Sequence, residues 1–225
     1  MDFLDQEIFD VSIDKLLLAG AQTIYMIGWG MLFGTILGVA LALVLVLTRR
    51  GGLTQNAVVY TIVNFVINVT RSIPFIILLV ALIPLTRLLV GTSVGSQAAL
   101  VPLTIYITPF IARMVESSLL EVKPGVIEAA QAMGATNWQI IRHFLLPEAY
   151  ASIVLSLTTS LVGLLGATAM AGYGGGGGVG DLALTYGYQR FNTPLMLLTI
   201  VVLVIFVQIM QAIGNTVSRR LREPK

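Results

Sequence analysis

The stretch EVKPGVIEAAQAMGATNWQIIRHFLLPEAY, Glu121 to Tyr150, decides how the rest of the chain is read. Pro124 and Gly125 end whatever precedes them, and Val126 to Met133 has the Ala-rich, long-side-chain composition that favours a helix. Gly134 stops that helix, because only glycine enters the left-handed conformation of a helix C-terminus without a Cβ penalty. A second helix starts at once: Thr136, Asn137, Trp138 and Gln139 spell a capping box in which the Thr136 hydroxyl and the Gln139 amide satisfy opposite backbone donors. Pro147 closes the unit. Long apolar runs begin within a few residues on either side, so this is a water-facing helical hairpin between two membrane spans, and it reads as a docking surface. Helix, glycine turn and helix is also the outline of a DNA-binding module. Here Arg142 and His143 are its only basic side chains after Lys123, too few for a phosphate footprint, and no nucleic-acid partner is expected.

Composition agrees with that placement. Of 225 residues, 56% are hydrophobic and 11% charged, with mean hydropathy +0.91, whereas soluble domains carry about 25% charged residues. The chain is therefore a membrane protein, and the position of its charges says more than their net value of +2. It contains no cysteine, which excludes disulfides, thiolate nucleophiles and Cys-ligated zinc. The single histidine, His143, makes a metal site improbable.

Five spans are expected, at about 16–47, 57–85, 98–115, 149–170 and 195–212, in one transmembrane domain over 1–225 with the hairpin at 121–148. The first, Leu16 to Leu47, is uncharged and longer than a bilayer core needs, so it tilts or overhangs. Gly28, Gly30, Gly34 and Gly38 give it ridges for close helix contact. Met1 to Asp14 is acidic and carries no Lys or Arg, while Arg49 and Arg50 follow the span. The positive-inside rule puts the N-terminus outside and Arg49 in the cytoplasm. In the second span Thr61, Asn64, Asn68 and Arg71 share one helical face. An Arg there either lines a wet path or bonds carbonyls of a neighbouring helix, and both readings stay open. Pro74 and Pro84 are expected to kink this span, and Pro102 and Pro109 to interrupt the short third one. Ser152, Ser156 and Ser160 recur every four residues in the fourth span, with Thr159 and Gly163 beside them, which suggests a self-associating face. The tail Arg219, Arg220, Arg222 and Lys225 is cytoplasmic.

Between the last two spans lies TAMAGYGGGGGVGDLALTYGYQRFN, Thr168 to Asn192. Gly172, Gly174 and Gly177 fit a dinucleotide fingerprint, but no strand precedes them and no P-loop lysine follows. A flexible linker would mix Gly with Ser, whereas this run is framed by Tyr173, Asp181, Tyr186, Tyr188 and Phe191. The backbone at Ala169 to Gly172 is free to bend, and Met170 is the one large flexible side chain there, either sealing a narrow apolar constriction or filling a packing gap.

The run Glu128, Ala129, Ala130, three residues, Gly134, nine residues, Phe144, one residue, Leu146, Pro147 resembles the EAA motif of bacterial ABC importer permeases, with Phe144 where the family usually has Ile. RSIPFIILL at Arg71 to Leu79, IARMVESSLLEV at Ile111 to Val122, and AMAG with the glycine run and YGYQRF are similar to permease subunits of methionine ABC importers; Tyr173 departs from the small residues that usually open the run. The resemblance implies an all-α integral membrane helical bundle of the type I importer permease fold in the bacterial inner membrane. It makes Glu128, Ala129, Ala130, Gly134, Ala135, Trp138 and Pro147 the surface coupled to a separate ATPase. It leaves Asn64, Asn68, Arg71, Met170 and Tyr173 as candidates for the translocation path or gate. The partners it implies are two ATPase subunits, which bind the ATP, an external methionine-binding protein and a second copy of the chain. It implies no catalysis and no cofactor in the permease itself. Transport of another amino acid is the alternative. A stand-alone secondary transporter fits less well, because no acidic residue lies deep in the spans.

Overall fold

The computed structural model describes residues 7–9 and 11–222, so Asp2, Asp5 and Asp10 of the acidic segment and Lys225 of the basic tail lie outside the described residues. A two-residue hairpin, β1 (Glu7–Ile8) antiparallel to β2 (Val11–Ser12), leads into α1 (Ile13–Thr48). With no charge from Leu16 to Leu47 and no proline to break it, α1 runs 36 residues, about 54 Å at 1.5 Å per residue, well beyond a bilayer core of about 30 Å.

The second expected span is not one helix. Instead α2 (Ala57–Ser72) and α3 (Phe75–Ala81) meet at a bend of 103°, and α4 (Ile83–Val90) follows. The break is at Pro74, whose extended ψ of 136° ends the helical path, because proline also pushes the residue before it out of the helical region. At Pro84 the chain is interrupted as well: α3 ends at Ala81, Leu82 separates the two helices, and Pro84 sits in the first turn of α4, where a missing N–H costs nothing. The third span is not interrupted. Pro102 and Pro109 both lie within the continuous 25-residue α5 (Ser96–Leu120), as neighbouring helices permit in membrane proteins.

The hairpin contains α6 (Pro124–Ala132) and α7 (Asn137–Ile140). Pro124 and Gly125 open α6 rather than merely ending α5, with Pro124 at its first position. Pro147 does not close the unit. After a π-helical turn at Ile141–Leu145 the chain continues directly into α8 (Leu146–Ala171), with Pro147 in its first turn. A second π turn (Gly172–Gly176), the short α9 (Val179–Asp181) and a third π segment (Leu182–Tyr188) connect to α10 (Thr193–Arg222). Four helices, one of them the continuous run Asn137–Gly176, are long and apolar enough to cross a membrane, and the bent α2–α3 pair makes a fifth if counted as one span.

The chain forms two compact units, and their boundaries fall inside helices or at the α2–α3 break. In the first (Met1–Gly34, Ile73–Ile107, Leu161–Ile209), Val11, Ala19, Leu182 and Leu195 form a buried cluster, and Gly30 admits the Leu164 side chain. In the second (Thr35–Ser72, Thr108–Ser160, Met210–Lys225), Leu45, Ile67 and Ala112 are buried together. Here Gly38 faces Ile111 so closely that a Cβ would lie 2.7 Å from its side chain. The serines of α8 also serve this second unit: Ser156 shares a 2.8 Å hydrogen bond with Ser118 and donates to the Met114 carbonyl, and Ser160 is fully buried. Ser156 thus ties α8 to α5, while Ser160 donates back to the Ser156 carbonyl of its own helix and Ser152 donates to Glu121; Thr159 and Gly163 remain exposed.

Candidate functional site

The hairpin of the second unit is fixed by local backbone chemistry. At the end of α6, Gly134 has φ +78°, and its N–H donates to the Gln131 carbonyl while that of Ala135 donates to Ala130. This is the paired bonding of a Schellman motif, which a left-handed residue must complete. One residue later the Thr136 N–H donates to Gln139 Oε1 at 2.8 Å and the Gln139 N–H donates to Thr136 Oγ1 at 3.4 Å, completing the capping box. Ala130 and Ile140 are fully buried beneath the turn, so the two short helices pack on small and branched side chains.

The exposed surface of the hairpin follows from this. Glu128, Ala129, Gly134 and Pro147 are exposed and Ala135 half-buried. Met133 and Trp138 are 69% and 65% exposed, two large apolar side chains flanking the glycine turn. A cleft of about 280 Å³ adjoins the hairpin, lined among others by Arg49, Gly52, Pro124, Glu128 and Gln131. Met133 has no place in the sequence motif, and its exposure is visible only once the turn is folded.

Asn64 and Asn68 do not stand alone. Both accept hydrogen bonds from Arg113 Nη2, the Asn68 bond at 2.8 Å, while Arg113 Nη1 pairs with Glu116 at 2.8 Å. Glu116 is buried, so Arg113 supplies its countercharge and ties α5 to the polar face of α2. Arg71 is exposed and lies 5.9 Å from the centre of the Phe110 ring, a cation–π contact rather than a bond to carbonyls. The polar stripe therefore divides into a helix clamp at Asn64 and Asn68 and an outward-facing Arg71. Arg113 and Glu116 stand three residues apart, one helical turn, but nothing local to them signals the reach of Arg113 to α2.

In the first unit the glycine run is an ordered structure. The Gly178 N–H donates to Gln22 Oε1 at 2.8 Å and the Val179 N–H to Thr23 Oγ1 at 2.9 Å; Ser96 donates to the Gly176 carbonyl, and the Gly95 N–H to that of Gly175. Gly180 lies so close to α8 that a Cβ would fall 2.2 Å from Ala169 Cα. Glycine is required here by proximity. Gln22 and Thr23, two adjacent polar residues in an uncharged span, were a legible signal for such a partner. Met170 is 49% and Tyr173 58% exposed, and Tyr173 lines a pocket of about 240 Å³ with Ile76, Leu79 and Val80.

Residues 34–223 match the model of the family described as "binding-protein-dependent transport system inner membrane component". The chain is 48% identical over 213 residues, 95% of each chain, to a Vibrio cholerae protein named "Probable D-methionine transport system permease protein MetI". Among solved structures, it matches a chain of the MetNI methionine ABC transporter in an inward-facing conformation with TM-score 0.91 and 45% identity. That match covers 95% of this chain and 100% of the other. A chain of an amino acid ABC transporter with histidines, 17% identical over 92% of this chain and 94% of its own, shares the fold at TM-score 0.75.

Proposed function

Since the chain belongs to the family of binding-protein-dependent transport system inner membrane components, we propose that it is the membrane permease of an ATP-driven methionine importer, L- or D-methionine being its cargo. The observation that carries this reading is likeness to methionine permeases over nearly the whole chain. The permease makes and breaks no bond. It works as a pair of identical chains with two ATPase subunits, in the inner membrane, and takes its substrate from an external binding protein. The acidic N-terminus faces outside, and Gly51, Trp138 and Arg222 face the cytoplasm.

Coupling runs through the hairpin. Met133 and Trp138 insert their apolar side chains into the ATPase, with Glu128 and Ala129 beside them, and closure of the two ATPases on ATP draws the two hairpins together. The Schellman turn and capping box make the hairpin stiff enough to transmit this displacement to α8, with which α7 is continuous through a π-helical turn. Met170, half exposed on α8, seals the path against its counterpart in the second copy. Arg71 and Tyr173 line the path, and Asn64 and Asn68 support it through Arg113.

Proteoliposomes holding the permease, its ATPase and the binding protein are expected to accumulate labelled methionine only with internal ATP. ATP-dependent accumulation without the ATPase subunit, or of another amino acid in place of methionine, would sink the proposal.

A further inference from the structure

Within the first unit, α3, α4 and the start of α5 enclose a pocket of about 240 Å³ against the glycine run, smaller than the roughly 300 Å³ at which drug-sized sites begin. Part of its lining is small of necessity. A Cβ on Gly174 would lie 2.6 Å from Leu79 Cδ2, and one on Gly176 would lie 3.2 Å from the Ala99 side chain. The same backbone is braced: the Gly95 N–H donates to the Gly175 carbonyl at 2.8 Å, and Ser96 Oγ donates to the Gly176 carbonyl at 2.9 Å. Protein interiors are otherwise close-packed, and backbone pinned in this way does not move in to fill the space. Ile76, Leu79 and Val80 add branched apolar side chains to the lining.

The polar groups of the pocket are few and unusual. Thr86 lines it and is only 4% exposed, yet its hydroxyl makes no hydrogen bond among the described residues, whereas buried polar groups are nearly always paired. No unpaired polar side-chain atom is sealed off among those residues, so the Thr86 oxygen is reached through the pocket. Arg87, the next residue, is exposed and pairs with no carboxylate among the described residues. Its Nε donates to Ser93 Oγ at 3.2 Å, and Ser93, which lines the pocket, keeps its own proton to donate. Arg87 is also the sole charged residue in 73–112 and 149–180, the segments that contain the whole lining. The first carboxylate beyond them, Asp181, already accepts from Thr185 at 2.7 Å. The acidic hairpin at the chain start packs elsewhere, through Val11 against Leu182 and Leu195, with Lys15 beside Tyr186.

We propose that this pocket is a transit site for the amino acid carried, its carboxylate held by Arg87 and Ser93, its ammonium donating to the Thr86 hydroxyl, and its unbranched apolar side chain lying on Ile76, Leu79 and Val80. A guanidinium is the side chain best matched to a carboxylate, and here nothing of the opposite sign competes for it. A lipid would need apolar length that a pocket of this size lacks. The inference rests on reading the chain as a methionine permease and adds a place within it where the cargo halts.

The test is photolabelling of the permease–ATPase complex in nanodiscs, without binding protein, by a diazirine analogue of methionine, with the modified residues located by mass spectrometry. Labelling is expected within residues 76–83 and 98–102. Methionine should suppress it several-fold more effectively than methioninamide, which lacks the carboxylate. R87Q should remove that difference and R87K should keep part of it. T86V should weaken labelling without altering the difference, and V80W, at an exposed position of the lining, should reduce labelling by obstruction. Equal suppression by the two competitors in wild type, or an undiminished difference in R87Q, overturns the proposal. Wild type that accumulates methionine with ATP in the complete proteoliposomes but is labelled only outside the pocket overturns the transit site alone. Failure to accumulate methionine there overturns the importer reading itself.

Discussion

Replacing Gly134 tests whether hairpin geometry carries coupling. The position has φ +78°, and a Cβ built there meets nothing within 4 Å. Added bulk is therefore tolerated, and the whole cost of a side chain is conformational. For an ordinary L-residue the left-handed region costs about 1–2 kcal/mol, a factor of roughly 5–30 in the population of the correct turn. A β-branched residue lies at the upper end, and Asn, whose short polar side chain tolerates this region, lies at the lower. Gly134→Asn, Gly134→Ala and Gly134→Val should thus form a graded series. Because Met133 and Trp138 flank the turn, loss of its geometry separates their side chains without exposing the buried Ala130 and Ile140 to any great extent. The assay is the ratio of methionine transported to ATP hydrolysed in proteoliposomes, with assembly followed by size-exclusion chromatography. The ratio should fall in the order Asn, Ala, Val while assembly holds. Equal effects for Asn and Val would show that steric contact rather than backbone conformation matters, and an unchanged ratio in all three would refute a rigid coupling turn.

Arg113→Ala strips the countercharge from Glu116, whose side chain is only 9% exposed, and should cost about 3 kcal/mol, visible as a melting temperature lowered by roughly 5–10 °C. Arg113→Ala/Glu116→Ala should recover part of that loss. Gly180→Ala drives a Cβ to 2.2 Å from Ala169 Cα and should reduce folded yield sharply, whereas Gly163→Ala, with nothing within 4 Å, should melt no lower than wild type. Met170→Ala should raise basal ATP hydrolysis or permit uptake without the binding protein; a lower melting temperature with unchanged dependence on that protein would make it a packing residue. With no native cysteine in the chain, Thr92→Cys should react with an impermeant thiol reagent in intact cells and Arg222→Cys only after lysis, and labelling at 222 in intact cells would overturn the orientation.

The sequence by itself determined what depends on a few neighbouring residues. The Gly134 stop, the Thr136–Gln139 capping box and the length of α1 are local matters of backbone freedom, side-chain reach and uninterrupted apolarity, and each stands in the structure where spacing put it. Family membership was legible for a related reason, since a motif fixed by local geometry keeps its spacing. The effect of a proline is less local. Whether one breaks a helix depends on what replaces its missing hydrogen bond: Pro74 starts a 103° bend, while Pro102 and Pro109 sit inside a helix whose surroundings tolerate them. In the serine ladder of α8, spacing marks a face suited to close contact, but only the fold gives Ser156 its partners, Ser118 and the Met114 carbonyl of the same chain. Likewise, the glycine run became a fixed structure through Gln22 and Thr23, 156 residues earlier, and Asn64 and Asn68 became a clamp through Arg113, more than forty residues later. Such partners leave no local trace, because hydrogen bonding and close approach act through space, and only the tertiary structure decides which distant residues are brought within reach.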